Sequence, residues 1–276
     1  MPEEALIARA EKHFGEEPCV SGVNGAGTVF FCGCNLRCVF CQNREISRGN
    51  FENYESCDTE RLCEIFLSLQ NNGANNIDLV SPSHYTKIIA EAIDRCGDRL
   101  KIPVLYNSGG YDSKEALEIM RGRISVYMPD LKYISPSLSK KYSLAENYFS
   151  VAAVALDEMF RQTGKCVLDS QGILQKGMII RHLVLPGNLQ NSIDVIDYIY
   201  DNFPRKDILV SLMGQYTPPK SSAFTEKFPE IANPLSKEEY EYVAEHFRKR
   251  KLNGFLQYPE SSGEEYIPQF GREYII

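Results

Sequence analysis

The chain has 276 residues, 43% of them hydrophobic and 24% charged, which suits a globular protein of one large α/β domain or two small ones. A formal net charge of −7 argues against a polyanion as the main partner, so no nucleic acid is expected. No apolar run nears membrane-spanning length and the acidic start Met1-Pro2-Glu3-Glu4 is not a signal peptide, so no membrane is expected; nine cysteines without a secretion signal fit a reducing cytoplasm.

Residues 1–26 read as an N-terminal extension, with a short helix predicted over Glu4–His13 and then a glycine-containing stretch, Ser21 to Gly27. Those glycines lack a following helix, so a turn is expected rather than a phosphate cradle. Thr28–Cys32 is the first predicted strand. Leu62, Ile65, Phe66 and Leu69 then mark one face of a helix by their i, i+3, i+4, i+7 spacing. Ile77–Ser81 is the second strand, with a helix over His84–Arg95, and Ile102–Asn107 is the third. Asp112-Ser113 caps a helix over Lys114–Arg121, and Ile124–Asp130 is the fourth strand. A longer helical region, Ser137–Gly164, carries Val151, Val154, Ala155 and Met159 on one side. A hairpin bends at Ser170-Gln171-Gly172 and Met178–Val184 forms the fifth strand. Ile193, Ile196, Ile199 and Tyr200 populate the next helix, Ile208–Met213 is the sixth strand, and Tyr240, Val243, Ala244 and Phe247 mark the last long helix. Its basic end, Arg248-Lys249-Arg250-Lys251, complements the helix dipole.

Six strand–helix alternations with few polar positions inside the strands predict a parallel sheet covered by helices. A complete eight-fold barrel takes ~250 residues and eight strands. The expectation is therefore an α/β fold, a partial (β/α)6 TIM-type barrel over residues 27–276 that ends in a C-terminal helix and tail.

The chemistry concentrates in Gly33-Cys34-Asn35-Leu36-Arg37-Cys38-Val39-Phe40-Cys41, directly after the first strand. Thiolates favour zinc, copper(I) or iron–sulfur clusters. A zinc site could use Cys34, Cys38 and Cys41 with a fourth ligand from elsewhere, but structural zinc sites usually pair two ligands with two more, and no second Cys-x2-Cys or His-x3-His occurs. A [4Fe–4S] cluster normally takes four cysteines, one per iron, so three on one loop leave an iron open to a small molecule. Cys32 is expected to be a buried thiol at the end of the first strand, and the scattered Cys57 and Cys63 suggest no second cluster.

In parallel barrels the working groups gather at the C-terminal ends of the strands. Those ends here carry Ser81-Pro82-Ser83-His84-Tyr85, Asn107-Ser108-Gly109-Gly110, Asp130-Leu131-Lys132 and Gly214-Gln215-Tyr216, while Arg181 and His182 interrupt an apolar fifth strand. An Arg and a Lys near one mouth suit a carboxylate. Arg181 in such a run needs an anionic partner, either a ligand or a structural bridge. Asp130 and Lys132 could equally form an ion pair at a strand end, His84 could cap a helix and His182 could be a satisfied interior histidine.

The Cys-x3-Cys-x2-Cys spacing resembles the signature of the radical S-adenosylmethionine (SAM) enzymes, with Phe40 at their frequent aromatic position. In that family SAM binds the open iron, and the reduced cluster cleaves it to methionine and a 5′-deoxyadenosyl radical. The cysteine loop through Gln42-Asn43, Asp130-Leu131-Lys132 and Arg181-His182-Leu183-Val184-Leu185-Pro186-Gly187 resemble pyruvate formate-lyase activating enzymes. Glu17-Pro18-Cys19-Val20-Ser21-Gly22, Leu79-Val80-Ser81-Pro82-Ser83-His84-Tyr85 and Leu212-Met213-Gly214-Gln215-Tyr216-Thr217-Pro218 are similar to a branch named after that activase. The resemblance implies that Cys34, Cys38 and Cys41 hold the cluster, that Asp130, Lys132 and Arg181 hold the methionine part of SAM, that Asn107 and Ser108 meet its ribose, and that Phe40 lies near the adenine. Activases carry Gly-Gly-Glu after strand two, where this chain has Ser81-Pro82-Ser83. Backbone carbonyls, the hydroxyls of Ser81 and Ser83, or another acidic group must then receive the SAM ammonium.

The leading expectation is a radical SAM oxidoreductase that abstracts a hydrogen atom, with a glycyl radical enzyme as one candidate substrate and another peptide or a small molecule as the alternative. The resemblance also implies a low-potential electron donor of the flavodoxin or ferredoxin type. The long Tyr216–Pro234 connection would serve as a lid or a partner-binding loop. A different class, a non-catalytic iron–sulfur or zinc protein, would use the cysteines without Asp130, Lys132 or Arg181.

Overall fold

The computed structural model describes residues 3–49, 54–261 and 269–276, so Met1 and Pro2 of the acidic start lie outside the described residues. The first half contains β1 (Ala5–His13), α1 (Pro18–Ser21), β2 (Ala26–Phe31), α2 (Arg44–Ser47), β3 (Glu55–Cys57), α3 (Thr59–Asn71), β4 (Ile77–Val80), α4 (Thr86–Cys96), β5 (Val104–Ser108), α5 (Lys114–Met120) and β6 (Val126–Pro129). The second half adds α6 (Pro136–Ser143), α7 (Tyr148–Thr163), β7 (Val167–Leu168), β8 (Leu174–Leu183), α8 (Leu189–Asn202), β9 (Leu209–Met213), α9 (Ser222–Lys227), α10 (Lys237–Arg250) and β10 (Gly254–Gln257).

The sheet runs β10-β9-β8-β6-β5-β4-β2-β1-β3, with every neighbour from β2 to β10 parallel. That is the expected helix-covered parallel sheet, and it stays open. It holds one parallel strand more than the six anticipated, because β10 is too short to announce itself. β1 and β3 extend the other edge antiparallel, and β7 forms the expected hairpin with β8.

The predicted helix over Glu4–His13 is wrong: these residues form β1. Their Ala, Glu, Lys and Leu content favours helix intrinsically. A register shift between Ile7 and Arg9 also breaks the two-residue alternation that would have signalled a strand. Ser137–Gly164 likewise proves to be two helices. Leu144 takes a left-handed conformation (φ 55°) at the C-cap of α6, and the phase of α7 buries Ala152, Ala155, Leu156 and Met159 while leaving Val154 48% exposed. At α5 the cap is Ser113, whose hydroxyl accepts from the Ala116 N–H, and Asp112 is buried nearby.

Strand alternation divides the core in two. Tyr106, Tyr127, Ile180, Val210 and Leu212 face the helices, where side chains such as Leu62, Ile65, Phe66 and Leu69 of α3 are buried. Burying each of those side chains contributes roughly 1.5–3 kcal/mol. Leu105, Val126, Met128, Ile179 and Leu209 face the other way and meet Cys19 and Val20 of α1. α1 is pinned there by Asn75 and Asn76, whose amides donate to the Ser21 and Val20 carbonyls at 2.6 and 2.8 Å. It therefore plugs the barrel interior beside the starting ends of β2 and β4, leaving the opposite ends open. Among the described residues no helix is long and apolar enough to cross a membrane.

The exits of β5 and β6 are tied together. Gly110 lies at φ +75°, and a Cβ there would stand 2.1 Å from the Asp130 carbonyl oxygen. Tyr148 of α7 accepts from the Lys132 N–H at 2.9 Å and donates its single hydroxyl proton toward the Gly109 or Asp130 carbonyl, at 2.9 and 2.8 Å. Gly110→Ala is accordingly expected to destabilise the protein by at least about 2 kcal/mol, read as a lower urea midpoint at unchanged m.

Candidate active site

One cavity of about 390 Å³ opens at the C-terminal ends of the parallel strands. Cys34, Cys38, Phe40 and Cys41 line it, and so do Ser81, Asn107, Ser108, Asp130, Lys132 and Arg181. Ser83 alone of the predicted site residues is absent from that wall, because its hydroxyl turns away and donates to Asp112 at 2.6 Å.

The cysteine loop is laid against the end of α6. Arg37 and Val39 donate their N–H groups to the Ser143 and Tyr142 carbonyls at 3.2 and 2.8 Å, and Arg48 donates to the Cys38 carbonyl at 2.7 Å. At its start, Gly33 adopts φ +90° and His84 Nε2–H donates to the Cys32 carbonyl at 2.8 Å. Burial pushes the Cys34 and Cys41 thiols above their usual range, with the Leu36 N–H opposing this at Cys34. A metal binding here would displace those protons.

The three thiols share this wall without converging on one point. Among the described residues no three His, Cys, Asp or Glu side chains are placed to share a single metal ion. A cubane needs no such convergence, since each thiolate takes its own iron. Three thiols on one loop beside a roomy cavity with a Lys–Asp pair therefore fit a cluster with an open iron and a zwitterionic ligand. Cys32 is buried as expected, its thiol pushed up to about 12 by desolvation. Cys63 and Cys96 pack against each other between α3 and α4, with sulfurs 2.7 Å apart.

The remaining wall is a charge network. Asp130 pairs with Lys132 Nζ and stands 3.4 Å from Arg181 Nε. Burial alone would raise the Asp130 carboxyl, but Lys132 and Arg181 outweigh it and hold it below the usual carboxylate range. Arg181 also donates to Asn107 Oδ1 at 2.5 Å and pairs with Glu16 at 3.0 Å. Burial opposes its charge, and Asp130 and Glu16 more than restore it. The guanidinium thus forms the structural bridge that was one of its two anticipated roles.

The hydroxyl of Ser108 donates to Asp112 at 2.5 Å and accepts from the Gly110 N–H at 3.2 Å. Asp112 also accepts from Ser83 and Tyr106, at 2.6 and 2.8 Å, so this one buried carboxylate sets three side chains at the ends of β4 and β5. Ser81 holds a left-handed backbone (φ 59°), unusual for a residue with a side chain, while its N–H donates to the Asn107 carbonyl at 2.9 Å. His182, interior and neutral at a pKa lowered to about 4 by burial, donates from Nδ1 to the Leu131 carbonyl and accepts from Ser192 at Nε2. Phe40 packs edge-on to Tyr216, ring centres 6.1 Å apart, and the Tyr216 hydroxyl donates to the Ile231 carbonyl at 2.6 Å.

Glu16, Glu17 and Gln257 also line the cavity and were not anticipated. Glu17 opens the segment Glu17-Pro18-Cys19-Val20-Ser21-Gly22 that carries the resemblance, and its adjacency to Glu16 was the only local signal for the latter.

The model of the family described as the Radical SAM superfamily matches residues 28–168. A Methanocaldococcus jannaschii protein, uncharacterized protein MJ0674, is 27% identical over 249 residues, which cover 87% of this chain and 66% of that protein. The structure of Streptococcus suis SuiB bound to S-adenosylmethionine superposes with a TM-score of 0.51 at 16% identity, over 82% of this chain and 45% of SuiB. A point mutant of spore photoproduct lyase gives 0.58 at 12% identity, over 90% of this chain and 80% of the lyase. At these identities the structures share the fold, a radical SAM partial barrel. This chain spans just under two thirds of the archaeal relative and under half of SuiB. The family match takes in half of the chain, including the three-cysteine loop and the Asp130–Lys132 wall, and so this protein belongs to the radical SAM superfamily, whose members use a [4Fe–4S] cluster and SAM.

Proposed function

We propose that this chain abstracts a hydrogen atom from a substrate C–H bond inside the cavity at its strand ends. The observation that carries the reading is that the three-cysteine loop and the Asp130–Lys132 pair line the same cavity. A [4Fe–4S] cluster held by Cys34, Cys38 and Cys41 would supply the electron for reductive cleavage of SAM and so the means of hydrogen abstraction.

The chain's own residues do the positioning. Cys34, Cys38 and Cys41 hold the metal. Lys132 offers a buried ammonium to the SAM carboxylate, and Asp130, kept ionised by its two cations, receives the SAM ammonium. That assignment answers the loss of the activase glutamate, with the Ser81 hydroxyl as the remaining donor or acceptor nearby. Arg181 acts on SAM through Asp130 and Asn107, whose positions it fixes. Ser108 keeps one lone pair for a ribose hydroxyl, and Phe40 backs the adenine.

The open sheet leaves a side through which a peptide loop could enter, which supports activation of a glycyl radical enzyme as a second, finer reading. A flavodoxin or ferredoxin would serve as reductant. EPR of candidate partner enzymes, incubated with the reduced protein and SAM, separates this reading from a small-molecule substrate.

Anaerobic reconstitution is expected to load a [4Fe–4S] cluster, seen by its absorption and Mössbauer spectra, and dithionite with SAM should then release 5′-deoxyadenosine. Cys38→Ala should abolish both, and a fully reconstituted, reduced protein that never cleaves SAM overturns the reading. Arg181→Lys keeps a cation but loses the planar fork, so SAM affinity by calorimetry should fall about tenfold, ~1.4 kcal/mol.

A further inference from the structure

At and behind the inner end of the cavity, more carboxyl groups gather than its cations pair. Four carboxylates, Glu16, Glu17, Asp78 and Asp130, act on Arg181. Among the described residues Arg181 and Lys132 are the cations of the cavity wall, and the one imidazole there, His13, is kept neutral by burial. Arg181 is shared by Glu16 and Asp130, and Lys132 is held by Asp130. That leaves Glu17 and Asp78.

Glu17 is only 1% exposed and yet lines the cavity. One of its oxygens accepts a long bond from Gln257 Nε2, at 3.4 Å, and the other, Oε2, is buried without a hydrogen-bond partner among the described residues. Asp78 lies behind Asn107, whose Nδ2 donates to it at 3.4 Å, and its Oδ1 is likewise unpartnered. Burial pushes the Asp78 carboxyl well above its usual range. That favours the neutral acid at Asp78, whereas Glu17 has no cation in direct contact among the described residues, and an unpaired carboxylate in such a place is costly. The cofactors bring no relief: three thiolates on an oxidised cubane leave one negative charge, and SAM carries one positive.

We propose that Glu17, backed by Asp78, receives a positively charged nitrogen of the substrate, an ammonium or guanidinium group. Its donors satisfy the Glu17 carboxylate, and its charge answers the carboxylate that Arg181 and Lys132 leave without a direct partner. The substrate is thereby anchored by a cationic head at the inner end, with its reacting C–H bond directed back toward the mouth. Gln257, which also donates to Ser211 at 3.0 Å, steers the carboxylate. This inference rests on the reading of the cavity as the chamber for SAM and substrate together.

The test uses the reconstituted, SAM-loaded protein and three probes with the same alkyl chain: n-butylammonium, n-butylguanidinium and 1-butanol. Apparent dissociation constants come from thermal-shift titrations. The wild type is expected to bind at least one cation tenfold or more tightly than the alcohol, and E17Q to reduce that preference below threefold. Equal binding of all three probes overturns the inference, and so does a preference that persists in E17Q. A matching loss of SAM affinity in E17Q also overturns it, since the carboxylate would then serve the nucleotide. The wild-type comparison decides by itself if E17Q does not fold. SAM that is bound and cleaved without any preference for cations defeats this inference alone, whereas a protein that never binds SAM defeats the reading of the chamber.

Discussion

A guanidinium inside a barrel must be met by anions, and here that requirement falls on Arg181. Its partners come from three distant parts of the chain: Glu16 before α1, Asn107 at the end of β5 and Asp130 after β6. A buried ion pair often contributes little net stability against an apolar substitute, but breaking one by removing a single partner is costly. The network therefore acts mainly as a positioning device. It keeps Asp130 ionised and facing Lys132, so that two opposite charges are held side by side on the cavity wall.

Two further constraints keep that wall in place. Tyr148 stitches the exits of β5 and β6 from below, and Gly110 allows an approach to the Asp130 carbonyl that any side chain would block. Asp112 gathers Ser83, Tyr106 and Ser108 into one buried knot. Across the cavity the cysteine loop borrows its shape from the carbonyls at the end of α6. Rigid walls set by backbone and buried polar groups are what a site needs if reacting groups are to meet without reorganisation.

Much of this was legible in the residues. The apolar runs that become β2, β4, β5, β6, β8 and β9 announce a parallel sheet, and the C-terminal-end rule leads straight to Asn107, Ser108, Asp130 and Lys132. What stayed hidden was long-range. Arg181 and Glu16 lie 165 positions apart and leave no local pattern. β1 hides behind helix-favouring residues and a bulge, and β10 is four residues that only pairing with β9 makes a strand. Ser83 looked equivalent to Ser81, but a hydroxyl next to a buried carboxylate turns toward it, and Asp112 is nearly thirty residues further on.

The plug formed by α1 has a consequence for how the chain can be divided. Its preceding glutamates line the cavity, while its own Cys19 and Val20 complete the inner core. A version trimmed to begin at residue 27 would keep Cys34, Cys38 and Cys41 and all of the parallel strands but Ala26, yet would leave Arg181 without Glu16 and the barrel floor without its stopper. The leading segment is thus built into both the wall and the floor of the cavity.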